Sequence, residues 1–382
     1  MTESNRLWLR SIGTMIGAII GIGVFGIPYA FAQAGFFVGL AELLVVGLLI
    51  ILLQLQYAEV TIETPGHRRL SGLAEKHLGK KWKPWVALLI FSVAWGAMTA
   101  YIIVAGEFLY TLLGPTIGGS PFIYSIGFFV LESIFLLWSL KRISGAEVYV
   151  VAILLILFGA IVAVGLPSIE PANLLNVNLS KLILPYGVVL FAMAGLSIIP
   201  EMHDILGAKY EMRLRSAVVI AMLVIIAVYA LFGLAVVGVT GGVTSDEAIR
   251  GLGQVLGPTV SMLGSLLGII TLVSIFMIVG IVVKDTVMVD FKVNKWLAWF
   301  VTVSVPIVLF LLGVREFITV ISFSGAVFGA LTAVVVILVY EKMRPSIEKR
   351  KDSLILPKYL SYVLGAVFLF GAIVSIIDTF SG

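Results

Sequence analysis

Cysteine is absent from the 382 residues, which excludes disulfides, thiolate metal sites and cysteine nucleophiles and leaves the redox compartment open. Charge is scarce as well: Asp, Glu, Lys and Arg make up 12% of the chain, against about 25% in an ordinary soluble protein. The three histidines, His67, His77 and His203, all fall in loops or at the ends of apolar runs, so no acid–base pair or metal cluster gathers at one depth. Gly195, Leu196 and Ser197 lack the second glycine of a nucleophile elbow, and an enzyme is not expected. The formal charge of +4 comes from residues placed between hydrophobic runs, not from a basic stripe interleaved with aromatics, which excludes nucleic acid as a partner. No hydrophilic stretch is long enough for a soluble domain. No cleavable signal peptide is expected, because the apolar run after Arg10 is too long for a signal core and has no small-residue cleavage site behind it.

What is abundant is hydrophobic sequence, at 60% of residues and a mean hydropathy of +1.15. A membrane-crossing helix needs about 20 mostly apolar residues, and eleven such runs occur. They lie near 11–34, 36–60, 84–113, 121–140, 146–166, 182–205, 214–240, 257–283, 296–313, 316–340 and 358–380. The strands of a membrane barrel would read as shorter, alternating segments, so the expected class is an all-α polytopic membrane protein held by the lipid bilayer of the cell membrane.

Lys and Arg concentrate in cytoplasmic loops. With the N-terminus inside, the inner segments hold Arg6, Arg10, Arg68, Arg69, Lys76, Lys80, Lys81, Lys83, Lys141, Arg142, Lys209, Arg213, Arg215, Lys284, Lys292, Lys295, Lys342, Arg344, Lys349, Arg350, Lys351 and Lys358, which is 22 of the 25 basic residues. Only Lys181, Arg250 and Arg315 remain outside. Eleven spans with a cytoplasmic N-terminus and an external C-terminus fit this partition. Two loops stand out: residues 63–84, whose order suggests a short amphipathic helix or a plain basic loop, and residues 241–257, which form a short outer helix or a simple connection.

The first run carries Gly13, Gly17, Gly21, Gly23, Gly26 and Pro28, too many helix breakers for a rigid straight helix. Close packing through small residues is one reading. The other is an unwound segment at Gly21–Gly26 with Pro28 starting a second half-helix, whose free N–H groups and positive dipole end suit an anion such as a carboxylate. A matching interruption, Leu190 to Glu201, lies in the sixth run. Each break opens a block of five runs, and the second block is inserted in the opposite sense. Paired interruptions of this kind point to an inverted-repeat transporter with its site at the membrane midplane. The expected organisation is residues 1–10 as a cytoplasmic N-terminus, 11–166 and 182–340 as the two repeats, 341–357 as a cytoplasmic loop and 358–380 as an added eleventh helix.

Gly21 to Phe31 (GIGVFGIPYAF), with Ala34 and Gly35, resembles the first-helix signature of the amino acid/auxin permease family, within the amino acid, polyamine and organocation superfamily. Tyr101 to Glu107 resembles that family's third helix, and Ile199, Pro200 and Glu201 its sixth. The resemblance implies the leucine-transporter fold and secondary transport of amino acids by alternating access. It implies a substrate carboxylate on the amides of Gly21, Ile22 and Gly23, and an amino group on carbonyls of Phe191, Ala192 and Ala194. It further implies Phe191 as an outer aromatic gate, unless it is an ordinary packing phenylalanine, and Ala97 and Tyr101 facing the site from the third helix. None of these side chains is charged, which favours neutral, apolar or aromatic amino acids.

For sodium coupling, the resemblance implies carbonyls of Gly17 and Ile20 with Thr271 and Ser274 of the eighth run. Those hydroxyls can instead bond their own helix. For proton coupling, Glu107 and Glu201 are the candidates, since acidic residues within spans are functional by default. The sequence leaves open sodium or proton, symport, exchange or uniport, a non-transporting sensor of the same fold, and the oligomeric state. Gln54 and Glu59 are placed to hold the first-helix break, Glu59 alternatively at the inner edge, while the roles of Glu42 and Glu132 are open. No organic cofactor is expected.

Overall fold

The computed structural model describes residues 2–64, 69–138 and 147–381, the side chains of 138, 147–151, 153, 154, 157, 290, 380 and 381 excepted. Lys141 and Arg142 lie outside the described residues. In chain order the α-helices are α1 (Glu3–Ile19), α2 (Gly23–Ala34), α3 (Phe36–Glu63), α4 (Leu70–Leu78), α5 (Trp82–Ile117), α6 (Pro121–Trp138) and α7 (Glu147–Gly165). They continue with α8 (Leu184–Ala192), α9 (Ile199–Leu206), α10 (Leu214–Thr240), α11 (Ile249–Leu256), α12 (Pro258–Phe291), α13 (Lys295–Leu311), α14 (Phe317–Phe323), α15 (Ala330–Ile347) and α16 (Lys358–Ser381). Each of the eleven expected runs coincides with one helix or one interrupted series of helices. Both short loop helices are present, as α4 and α11.

Among the described residues seven spans are long and apolar enough to cross a membrane alone, and α1 with α2 forms an eighth bent by 59°. The bend falls at Gly21 and its neighbours, where each glycine weakens helix by about 1 kcal/mol relative to alanine. Pro28 does not start the second half-helix as expected. It sits inside α2, where its missing N–H leaves the Val24 carbonyl one turn back without the usual donor. In the sixth run it is Pro200 that occupies the first turn of a half-helix, α9, where a proline costs nothing because that N–H is unpaired anyway.

The interrupted helices form the centre of the bundle. α2 packs on α8, and α3 and α10 pack against them; α5, α6, α12 and α13 make a flanking group. α14 and α15 are joined without a break by a π-helical stretch, Ser324–Gly329, which packs on α8 and α5. Outward-facing Val45, Leu48, Leu263, Ile270, Tyr362 and Phe370 are all exposed, as lipid-facing positions of a spanning bundle are.

One end of the bundle is tied by charge. Glu59, buried near the end of α3, accepts hydrogen bonds from Arg215 of α10 and from Arg350, which follows α15. Arg350 also reaches Glu63 at 3.5 Å, and Arg215 donates to the Asp352 carbonyl at 2.5 Å. Glu59 therefore serves at the helix edge and not at the first-helix break. Replacing Glu59 by glutamine leaves two partly buried guanidinium groups without their counter-charge. The expected result is a loss of about 3 kcal/mol, measured as a lower thermal midpoint in detergent, with a smaller drop for Glu63→Gln.

Candidate functional site

The site is built where the two interruptions meet. After Ile19 the backbone closes with short bonds, from Ile20 N–H to the Ile16 carbonyl and from Gly21 N–H to that of Ile19, both 2.8 Å. Val24 donates to Gly21 and Phe25 to Ile22, which leaves the amides of Ile22 and Gly23 as open donors at the positive end of α2. On the other side, α8 stops at Ala192. Met193 and Ala194 fold back to donate to Val189 and Phe191, and a single 3₁₀ turn, Leu196–Ile198, leads into α9.

Gly23 is the point of closest approach: a methyl group there would lie 2.6 Å from Ala192 Cα. This glycine lets two backbones touch. At Gly21 the same methyl would meet only Ile275 of α12, at an ordinary 3.5 Å. Tyr229 of α10, wholly buried, fastens the junction. Its hydroxyl donates to the Ala192 carbonyl at 2.8 Å and lies 3.2 Å from the Ile19 carbonyl. One phenol thus sits between the C-terminal, negative ends of two half-helices. Nothing in an apolar run marks this tyrosine beforehand, because its role depends on which helix ends it reaches.

The other expected residues divide between those gathered here and those elsewhere. Phe191 is buried, and the π-helical stretch wraps it so closely that a methyl on Gly325 would lie 2.5 Å from the Phe191 nitrogen. Ala97 and Tyr101 are buried one turn apart on α5, and the Tyr101 ring lies 6.4 Å from that of Phe276, next to Ile275. A second aromatic group, Phe25, Phe108, Phe158 and Phe232, fills the space beyond the break, with Phe25 5.5 Å from Phe108 and 6.2 Å from Phe232. By contrast Ala194 and Ser197 are exposed and Gly17 and Ala18 half-buried, while Gly21, Ile22, Gly23 and residues 191–193 are buried, so the surface nearest the junction lies on the α1 and α9 side and the α2 and α8 side is sealed.

The coupling candidates do not converge. The Thr271 hydroxyl donates to the Leu267 carbonyl at 3.0 Å and that of Ser274, which is exposed, to the Ile270 carbonyl at 3.1 Å. Each serves its own helix, as membrane hydroxyls commonly do. Glu107 pairs with Arg250 of α11 at 3.3 Å, and Arg250 also reaches Glu247 at 3.5 Å. Burial holds the carboxyls of Asp246 and Glu247 above the ordinary range, against the pull of Arg250. Glu201 lies half-buried in the first turn of α9, the end where an acid favours the helix dipole. Glu132 is fully buried in α6, with neither carboxyl oxygen in a hydrogen bond. Among the described residues no group of His, Asp and Glu could hold a metal ion.

Residues 5–378 match the tryptophan/tyrosine permease family. The chain belongs to that family. As an amino acid permease it is an integral membrane transporter, not an enzyme, in agreement with the resemblance to amino acid permeases. Amino acid transporter ANT1 of Arabidopsis thaliana is 30% identical over 110 residues, 27% of this chain and 26% of that protein, so the permease matches only about a quarter of this relative's length. Among solved structures, MhsT in complex with L-phenylalanine has a TM-score of 0.67 at 16% identity, covering 96% of this chain and 97% of that one. The Eremococcus coleocola manganese transporter, in complex with an aromatic bis-isothiourea substituted compound, reaches 0.72 at 16% identity, covering 98% and 88%. The permease therefore has the leucine-transporter fold, with discontinuous first and sixth spans. The fold alone does not choose the cargo, since a metal-ion transporter shares it.

Three substitutions test the junction. Gly23→Ala forces α2 off α8, with an expected cost of about 1–3 kcal/mol and loss of uptake, whereas Gly21→Ala meets only ordinary contacts, keeps stability, and lowers uptake by crowding the space in front of the open amides. Tyr229→Phe leaves the Ala192 carbonyl without its donor, while the Ile19 carbonyl keeps the Gly21 N–H, and is expected to cost about 1–3 kcal/mol, read in a thermal-shift assay beside the alanine variants.

Proposed function

We propose that the permease moves neutral amino acids, with aromatic ones preferred, across the cell membrane by alternating access, driven by a sodium or proton gradient. The observation that carries this reading is the junction itself: two half-helix ends with open backbone donors and acceptors, joined by Tyr229. A substrate carboxylate takes the amides of Ile22 and Gly23, with Gly21 leaving room for it. The substrate ammonium takes carbonyls at the end of α8, among Phe191, Ala192 and Ala194, and at Ala192 it competes with the Tyr229 hydroxyl. The side chain then enters a surface of Ala97, Tyr101, Phe191, Ile275 and Phe276, which offers aromatic and aliphatic contact and no charge.

The basic residues favour an inside location for the N-terminus, α4 and α9, and an outside location for α11 and the C-terminus. In that orientation, access from α1 and α9 is access from the cytoplasm, and the packed face of α2, α8 and the π-helical stretch is the closed outer gate. The repeats are residues 11–166 and 182–340, with the eleventh span added behind them. Support for an aromatic substrate comes from the two ring clusters beside the break and from membership in the tryptophan/tyrosine permease family.

Uptake of a labelled neutral amino acid mixture into liposomes tests the proposal, with sodium and proton gradients imposed separately. Accumulation with sodium alone makes sodium the coupling ion and supports a site at Gly17, Ile20, Thr271 and Ser274, with the two hydroxyls turned from their own carbonyls. Accumulation with protons alone assigns it to Glu107 or Glu201. Counterflow without accumulation makes the protein an exchanger or uniporter, and no movement of any amino acid overturns the reading.

A further inference from the structure

We infer that Gln54 is a positioning residue of the transport cycle, whose side-chain amide pairs with the unwound backbone of residues 193–197 in the state that closes over substrate. The inference rests on the alternating-access reading. Gln54 lies in the half of α3 nearer Glu59, is fully buried, and has a hydrogen-bond partner at neither Oε1 nor Nε2. A primary amide brings two donors and an acceptor. Left unmet in an apolar interior, they cost free energy that an apolar side chain of similar reach would not.

The location supplies the reason for keeping it. A methyl on Gly195 would stand 3.5 Å from Gln54 Nε2 and 2.6 Å from Ile19 Cγ1. The amide therefore sits at the crossing of both interruptions, between the end of α1 and the gap separating α8 from α9. The gap carries the complementary groups. Met193 and Ala194 donate to Val189 and Phe191, and Ile198 donates to Gly195, so the amides of Gly195, Leu196 and Ser197 are free donors there and the carbonyls of Met193 and Ala194 free acceptors. In this conformation the two unmet sets lie side by side without bonding. Ala194 and Ser197 are exposed, so the segment is not clamped by packing at these two positions, and the Ile19 side chain is what separates it from α3. A rearrangement that satisfies Gln54 and the gap together gives the closed state a bond set that the open state lacks, and such a difference between two states biases a switch.

Because the chain has no cysteine, Ser197→Cys provides a single thiol whose labelling by a membrane-impermeant reagent reads exposure of the gap. Wild type, Gln54→Leu, Gln54→Met and Gln54→Glu are compared in proteoliposomes with L-phenylalanine as the probe, each also in the Ser197→Cys background. The apolar variants are expected to bind the probe within about threefold of wild type while maximal uptake falls by about tenfold or more, a change in rate and not in affinity. L-phenylalanine should slow thiol labelling in wild type and leave it unchanged in Gln54→Leu. Gln54→Glu, which keeps an acceptor, should recover part of the uptake. Wild-type uptake in both apolar variants would overturn the proposal, as would a parallel loss of binding and uptake, which would make Gln54 a substrate contact. Failure of wild type itself to move any amino acid would instead refute the transport reading on which the inference stands.

Discussion

A peptide group that leaves a helix inside a membrane has no water to turn to, and that cost constrains this molecule more than any other. The permease interrupts two helices at the same place and must then satisfy or reserve each freed donor and acceptor. Some are closed locally by the short bonds after Ile19 and Ala192. Two carbonyls from different half-helices share the hydroxyl of Tyr229. The remainder, chiefly the amides of Ile22 and Gly23, are the open donors on which the proposed carboxylate site rests. Glycine at position 23 is required because the backbones of α2 and α8 touch there, which is also why the junction behaves as a unit.

The rest of the bundle holds that unit still on one side and leaves it accessible on the other. The π-helical stretch at 324–329 presses on α8, and the phenylalanines around Phe25 fill the same half. Charge is used at the ends: the Glu59, Arg215 and Arg350 network ties α3, α10 and the segment after α15 at one, and Arg250 joins Glu107 and Glu247 at the other. Both networks link elements distant in sequence, so they order the ends without placing charge beside the substrate.

Much of this was legible in the residues, for identifiable reasons. Spans announce themselves by length and hydropathy, and each of the eleven runs became a helix or an interrupted series of helices. Glycine density located the first break, although Pro28 proved to be an interior residue of α2, because the glycines alone suffice to unwind the chain. The parts that stayed hidden depend on direction. Thr271 and Ser274 were visible as hydroxyls, but only the structure shows them turned to their own carbonyls. Tyr229 reads in sequence as another packing aromatic, the π-helical stretch as uninterrupted helix, and Glu59 as either a brace for the break or an inner-edge residue, with nothing to name the two arginines it anchors. Side-chain partners far apart in the chain cannot be read from local spacing.

The central claim is that substrate binds to the backbone exposed at the paired interruptions. Hydrogen–deuterium exchange of the purified permease with and without L-phenylalanine tests it directly. The account predicts slowed exchange in peptides spanning 19–25 and 190–198, with the amides of Ile22 and Gly23 most affected. Protection confined to other helices, with these two segments unchanged by a ligand that demonstrably binds, would contradict it.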